Sequence, residues 1–189
     1  VQILPQLVDD AASITVYQRT PNYVSPGNSP ALTDDDRRDY RENHEAIQAQ
    51  VRANPLFQAY TLAGFSAGEA PADERLAVYE RAWAEGGLAP FMATHADLAV
   101  DQESNDTIAE FIREKIRLAV HDPDKARKLV PTDYPYGVKR PPSSDGYYEA
   151  FNREHVDVVD LRATPIERIT AGGIVVRGQW MAVPGSRST

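Results

Sequence analysis

The chain has 189 residues, a formal net charge of −8, 42% hydrophobic residues and no cysteine. That length allows one domain or slightly more with a sizeable core, and the acidic balance argues against a general nucleic-acid surface or docking on anionic lipid. The lack of cysteine excludes a disulfide framework, a thiol nucleophile and a thiolate metal site, and it fits a reducing cytoplasm.

Residues 1–12 pattern as a helix with Ile3, Leu4, Leu7 and Val8 on one face. The stretch before Pro5 has neither the basic region nor the apolar core of a signal peptide, and it reads as a chain that starts in mid-sequence. Ser13 to Gln18 alternates β-branched and polar residues and predicts a strand. Residues 21–32 are rich in Pro and Gly and predict a loop. Thr33 can cap a helix whose first turn holds Asp34, Asp35 and Asp36, where the positive end of the helix dipole favours acids. Tyr40, His44, Ile47 and Val51 follow at helical spacing until Asn54-Pro55 ends the run. Leu76, Tyr79 and Trp83 make a second helical stripe, stopped by Gly86-Gly87. Ile108, Phe111, Ile112, Ile116 and Ala119 make the clearest third, and Asp122-Pro123 can start a short fourth. After Pro141-Pro142 the pattern turns to β: Val156 to Leu161 is one strand, and Ile169 to Val176 turns at Gly172-Gly173. No apolar run is long enough to cross a membrane. Met181 to Thr189 has no packing pattern.

The fold class that follows is α/β with a large helical insertion. It is a partial Rossmann-like unit made of helix, strand and exposed polar strand end. Residues 1–30 form the second half of a βαβ unit and 31–131 the insertion. Residues 132–176 return to the α/β body, and 177–189 are an atypical tail.

Two segments carry candidate chemistry. Arg19 follows the first strand. In dinucleotide folds an arginine at that place accommodates the 2′-phosphate of NADP, because a guanidinium offers paired hydrogen bonds to phosphate. A solvated arginine after an edge strand is the plain alternative. Lys139 and Arg140 stand side by side between Gly137 and Pro141-Pro142, near Tyr134, Tyr136, Tyr147 and Tyr148. Adjacent cations usually decorate a surface, but the fixed backbone and the aromatic neighbours suggest a partly closed pocket for a phosphorylated cofactor.

Other motifs are weaker. Gly64-Phe65-Ser66-Ala67-Gly68 matches the nucleophile-elbow pattern but lacks the strand before it and the helix directly after it, so a loop between helices is expected. Asp34-Asp35-Asp36 reads as a helix start rather than a metal cluster. The four histidines, His44, His95, His121 and His155, have no metal-binding helical spacing, and nothing is expected to pair with His155.

Together these segments resemble the Baeyer–Villiger monooxygenases, class B flavoproteins similar to the cyclohexanone and phenylacetone enzymes. The matching residues are Val1-Gln2-Ile3 with Pro5-Gln6, and then Val16 to Asn22 (Val-Tyr-Gln-Arg-Thr-Pro-Asn). Ala82 to Leu88 and Phe91-Met92 follow. The strongest stretches are Asp133 to Pro141 (Asp-Tyr-Pro-Tyr-Gly-Val-Lys-Arg-Pro) and Tyr147 to Arg153. Val158 to Arg162 with Thr164-Pro165-Ile166 completes the pattern, which covers residues 1–175.

The resemblance implies FAD and NADPH as cofactors, and a reaction of molecular oxygen with a small ketone (giving an ester or lactone) or with a heteroatom. It implies that Arg19 and Thr20 meet the NADPH 2′-phosphate with Lys139 assisting, and that Gln2 follows the pyrophosphate loop. It also implies that Arg140 is the catalytic cation, a permanent charge that stabilises negative charge building on oxygen. No metal, nucleic acid or membrane is implied, and the expected location is cytoplasmic. The family's flavin and NADPH glycine loops and its histidine–tryptophan fingerprint are absent, and after Gly173 the chain departs from the pattern, reading Arg177 to Thr189 where the family has a strand and an Ala-Thr-Gly turn. The expectation is therefore an internal fragment whose parent is an oxygenase and which alone is inactive. A non-catalytic helical interaction module of the same ancestry is the alternative.

Overall fold

The computed structural model describes residues 1–54, 65–177 and 179–182. The first helix, α1, spans only Leu4–Leu7, shorter than the run 1–12 predicts. Leu4 and Val8 are buried, whereas Ile3 and Leu7 face solvent. Two apolar anchors one turn apart hold a single turn, and turns rather than helix continue to Asp10. The chain then forms β1 (Ile14–Gln18).

Helix α2 (Asp34–Glu42) begins at a reciprocal capping box. The Thr33 hydroxyl accepts from the Asp36 amide at 3.1 Å, and the Asp36 carboxylate accepts from the Thr33 amide at 2.8 Å. This satisfies two of the helix's unpaired N–H groups. Asp34 pairs with Arg37 and Asp35 with Arg38. The predicted continuous helix to Asn54 is broken at Asn43, whose ψ of 13° departs from the helix, and α3 (His44–Ala53) follows. Neither helix buries a residue, so nothing in the packing enforces continuity across Asn43.

Helix α4 (Ala72–Glu85) ends at Gly86 with φ +79°, a left-handed conformation that costs glycine nothing. A short turn of helix, α5 (Ala89–Met92), follows without a signal in the sequence. Helix α6 (Gln102–Ala119) is capped by Asp101 and buries Ile108, Ile112 and Ile116 along one stripe. Each such side chain contributes about 1.5–3 kcal/mol by leaving water, so α6 is the spine of the core. Asp122 caps α7 (Pro123–Leu129), accepting from the amides of Asp124 and Lys125.

A 3₁₀ turn at Glu149–Asn152 leads into β2 (Val156–Asp160). β2 pairs with β1 in parallel, Ile14 opposite Val156 and Gln18 opposite Asp160. Such pairing needs a long crossover, and here the helical block provides it. Helix α7 spans the pair: Lys128 Nζ donates to the Val158 carbonyl at 3.0 Å, and Gln18 Nε2 donates to the Lys128 carbonyl at 2.8 Å. The stripe of α6, Leu129, Tyr79, Phe151, Val156 and Val158 belong to one buried cluster.

β3 (Ile166–Thr170), β4 (Gly173–Val176) and β5 (Gln179–Ala182) form an antiparallel sheet in chain order. The hairpin turns at Ala171-Gly172, one residue before the predicted Gly172-Gly173, because Gly173 already pairs with Thr170. β5 corrects the expectation that the tail lacks a packing pattern, since Gln179 to Ala182 pair with β4. Residues 183–189 lie outside the described residues. No helix among the described residues is long and apolar enough to cross a membrane.

Candidate functional site

The carboxyl ends of β1 and β2 lie side by side, and the candidates Arg19 and Thr20 follow the first of them directly. The ladder continues one step beyond the strands, where the Leu161 amide donates to the Gln18 carbonyl at 2.9 Å. Arg19 is exposed, and among the described residues no acid or hydrogen-bond acceptor engages it. Thr20 lies next to it, and its hydroxyl accepts from Arg162 Nη2 at 3.4 Å. Arg162 also forms an ion pair with Asp133.

Residues 21–25, predicted as loop, are a buried strap: Tyr23, Val24 and Ser25 are at most 3% exposed. The strap is laid against the segment that carries Lys139 and Arg140. Tyr134 Oη donates to the Pro21 carbonyl at 2.7 Å, and Ser25 makes a parallel bridge to Ser143. Tyr148 Oη donates to the Asn22 carbonyl at 3.1 Å and accepts from the Val24 amide at 3.1 Å. Arg113 of α6 donates to Tyr23 Oη at 2.9 Å and to the Pro131 carbonyl at 2.8 Å, tying the strap to the spine of the core. Burial pushes the Tyr134 phenol up to about 12, so it remains a neutral donor throughout the physiological range.

Lys139 Nζ sits 4.1 Å from the centre of the Tyr134 ring, a cation–π contact with the ring whose hydroxyl reaches the Pro21 carbonyl. Arg140 is exposed and unengaged among the described residues. The neighbouring tyrosines do not enclose the two cations as the sequence suggests. Apart from Tyr134 they point elsewhere: Tyr136, Tyr147 and Tyr148 are buried, and the Tyr148 hydroxyl holds the strap at Asn22 and Val24.

Gly137 has φ +87°, and a Cβ there would lie 2.3 Å from Phe91 Cε2, so both conformation and space require glycine two residues before Lys139. Gln2 Nε2 donates to the Ser143 carbonyl at 3.1 Å, which attaches Gln2 to the same loop. The structure thus brings Arg19 and Thr20, Gln2, and Lys139 with Arg140 onto one connected framework. It does not place Arg140 in contact with Arg19.

Sequence reasoning missed Arg162, Asp133 and Asn105 as parts of this framework. A signal existed for Arg162, since both strands end in a polar residue followed within two positions by arginine. Asn105 had none, because its partner is backbone 31 residues away.

Three weaker motifs are also resolved. Gly64 of the elbow pattern lies outside the described residues. Ser66 Oγ donates to the Asp97 carboxylate, not to an imidazole. Burial opposes ionisation of Asp97, but donors from Ala67, Ser104 and Ser66 outweigh it and hold that carboxyl well below its usual range. His95 is buried edge-on to Phe65 and Tyr79, and its ring nitrogens have no partner among the described residues. His155 does have a partner, contrary to expectation: its Nε2 lies 2.7 Å from the Val8 carbonyl.

Fold and site define an α/β chain in which a helical block separates two paired parallel strands and a basic cluster sits at their carboxyl ends. The chain is homologous to Baeyer–Villiger monooxygenases. It is 37% identical over 176 residues, 92% of its length, to a Baeyer–Villiger monooxygenase of Pseudooceanicola batsensis, of which it covers 32%. It is 37% identical over 179 residues, 93% of its length, to cyclopentanone 1,2-monooxygenase of a Comamonas species, again covering 32%. The crystal structure of OTEMO in complex with FAD and NADP superposes with a TM-score of 0.93 at 31% identity, over 96% of this chain and 34% of that one. The chain therefore spans about a third of the length of the curated relatives it matches. No protein-family model matches it.

Proposed function

We propose that this chain supplies the NADPH-binding part and the catalytic arginine of an FAD- and NADPH-dependent monooxygenase that inserts one oxygen atom beside a ketone carbonyl. Oxidation of a heteroatom is the other reaction the site would serve. In this reading residues 1–30 and 132–176 form a Rossmann-like body, and residues 31–131 are an insertion into it.

The observation that carries the reading is the donor set at the carboxyl ends of β1 and β2. Arg19 is exposed and unengaged among the described residues, and Thr20 beside it presents a hydroxyl. Lys139 is held over Tyr134 on the adjoining loop. Two cations and a hydroxyl at a strand end suit the 2′-phosphate of NADPH. Gln2, attached to the Ser143 carbonyl, stands where a pyrophosphate loop would lead into α1.

When bound, NADPH supplies a hydride and FAD the activation of dioxygen. Arg140 contributes a cation that keeps its charge at any physiological pH. Its backbone is set by Gly137 on one side and by Pro141-Pro142 on the other, which fixes the point from which the side chain reaches the reacting oxygen. Such a group stabilises negative charge that develops on oxygen without reorganising at the moment of reaction.

The test is a chimera in which this chain replaces the matching third of the Comamonas cyclopentanone 1,2-monooxygenase. Arg140→Ala should remove ester formation while NADPH oxidation continues. Ester formation at a near-normal rate by that variant would return Lys139 and Arg140 to the status of surface charge. A second reading, a non-catalytic interaction module, draws on α2 and α3, which bury no residue. A chimera that folds but neither oxidises NADPH nor forms ester would favour it.

A further inference from the structure

We infer that Arg162 is a specificity-determining residue for the 2′-phosphate of NADPH, and that Asp133 is the carboxylate it exchanges for that phosphate. This depends on Arg19 and Thr20 meeting the phosphate as proposed above.

The register of the parallel strands places Arg162. Gln18 faces Asp160, so the residues two beyond each strand, Thr20 and Arg162, leave the sheet at the same level. Arg162 Nη2 and Thr20 Oγ1 are 3.4 Å apart. The Arg162 amide donates to Asp160 Oδ1 at 2.9 Å, which fixes the turn from which the side chain departs. A ligand phosphate at Thr20 would therefore lie within reach of two guanidinium groups, Arg19 on one strand end and Arg162 on the other.

Arg162 is occupied by Asp133, yet both side chains remain accessible, at 49% and 39%. An ion pair this exposed is weakly held. A phosphate carries more charge than the carboxylate and matches the guanidinium fork equally well, so exchange is favourable. Asp133 precedes Tyr134, whose ring carries Lys139. Releasing Asp133 thus leaves Arg162 free beside the Thr20 hydroxyl, with Arg19 adjacent in the chain and Lys139 over the ring whose hydroxyl reaches the Pro21 carbonyl. A purely structural tie would hold the 132–139 loop to β2 and would have no preference among ligands.

Calorimetric titration of the 189-residue chain with 2′,5′-ADP and with 5′-AMP separates the two, because these probes differ by the 2′-phosphate alone. Arg162→Gln should reduce the preference for 2′,5′-ADP by about tenfold or more, with 5′-AMP affinity unchanged. Asp133→Asn should strengthen 2′,5′-ADP binding, since Arg162 no longer has a competitor. Equal weakening of both probes by both variants would make the pair structural and overturn the inference. Arg19→Gln distinguishes the two levels of the argument. If it abolishes the preference and Arg162→Gln does not, the role of Arg162 falls alone. If neither changes it, or the unaltered chain has no preference, the phosphate site and Arg162's role in it fall together.

Discussion

Asn105 and Tyr136 clasp each other through two hydrogen bonds. The Tyr136 amide donates to Asn105 Oδ1 at 2.9 Å, and Asn105 Nδ2 donates to the Tyr136 carbonyl at 2.8 Å. The same Nδ2 reaches the Leu98 carbonyl at 2.7 Å, so one side chain on α6 serves the backbone of two loops. Asn105→Ala would leave these buried groups unpaired. The expected loss is about 2–3 kcal/mol, read as a lower midpoint in urea or thermal unfolding. Asn105→Asp should be nearly as damaging, because a carboxylate cannot donate to the two carbonyls. A variant as stable as the parent would mean that the loop finds other partners.

Gly137→Ala tests the geometry of the cationic loop. The left-handed backbone alone costs an alanine about 1 kcal/mol, and the contact with Phe91 adds an overpacking cost of roughly 1–3 kcal/mol. Combining Gly137→Ala with Phe91→Ala should recover the steric share but not the backbone share. A double-mutant cycle in stability with a coupling near zero would show that the ring moves aside freely.

The pH dependence of stability should separate His95 from Asp97. Burial is the main cause that lowers His95 below its ordinary value, opposed by the Asp97 charge. The unfolded histidine takes up its proton near pH 6.5, so below that pH the unfolded state binds more protons and stability falls until the folded value is passed. Above it, His95 contributes no slope. Asp97, held low by its donors, loses its contribution only in a more acidic window, below the ordinary carboxylate range. In unfolding curves between pH 5 and 8, His95→Leu should flatten the dependence. An unchanged slope would place its origin elsewhere.

Arg19 and Arg140 should fail in different ways in the chimera. Arg19→Ala should weaken NADPH by about 1.5–3 kcal/mol with little effect on NADH. Arg140→Ala should raise the oxygenation barrier by about 3 kcal/mol or more, roughly a hundredfold, while reduction continues. Arg140→Lys should also be poor, since an ammonium lacks the planar fork. Stopped-flow reduction and product analysis read the two steps independently, and equal loss of both coenzymes in Arg19→Ala would make that residue structural.

Where a residue's role was local, the sequence sufficed. Thr33 with Asp36, Asp122 before Pro123, and the stripe Ile108–Ile112–Ile116 all act within four residues of each other and were legible as caps and core. The motif around Lys139 and Arg140 also carried the resemblance that the homologues bear out. The break at Asn43 was hidden because helical periodicity continues through it, and only the backbone of Asn43 separates the two helices. The strap at Tyr23 was hidden for the opposite reason. Pro and Gly density signals irregular backbone, but it does not say that Tyr134, Tyr148 and Arg113 will satisfy that backbone's polar groups in the interior. Thr20 and Arg162 meet only through the register of two distant strands.

That register has a kinetic consequence. Thr20 and Arg162 are 142 positions apart in the chain, and β1 and β2 pair only after nearly everything between them has been traversed. Closing so long a loop carries an entropic cost that no local contact offsets, and distant pairings of this kind slow folding. The helices can organise early on short-range contacts, whereas the edge that carries Thr20 and Arg162 must wait for β2. Hydrogen exchange should accordingly find the α6 amides protected before those of β1 during refolding.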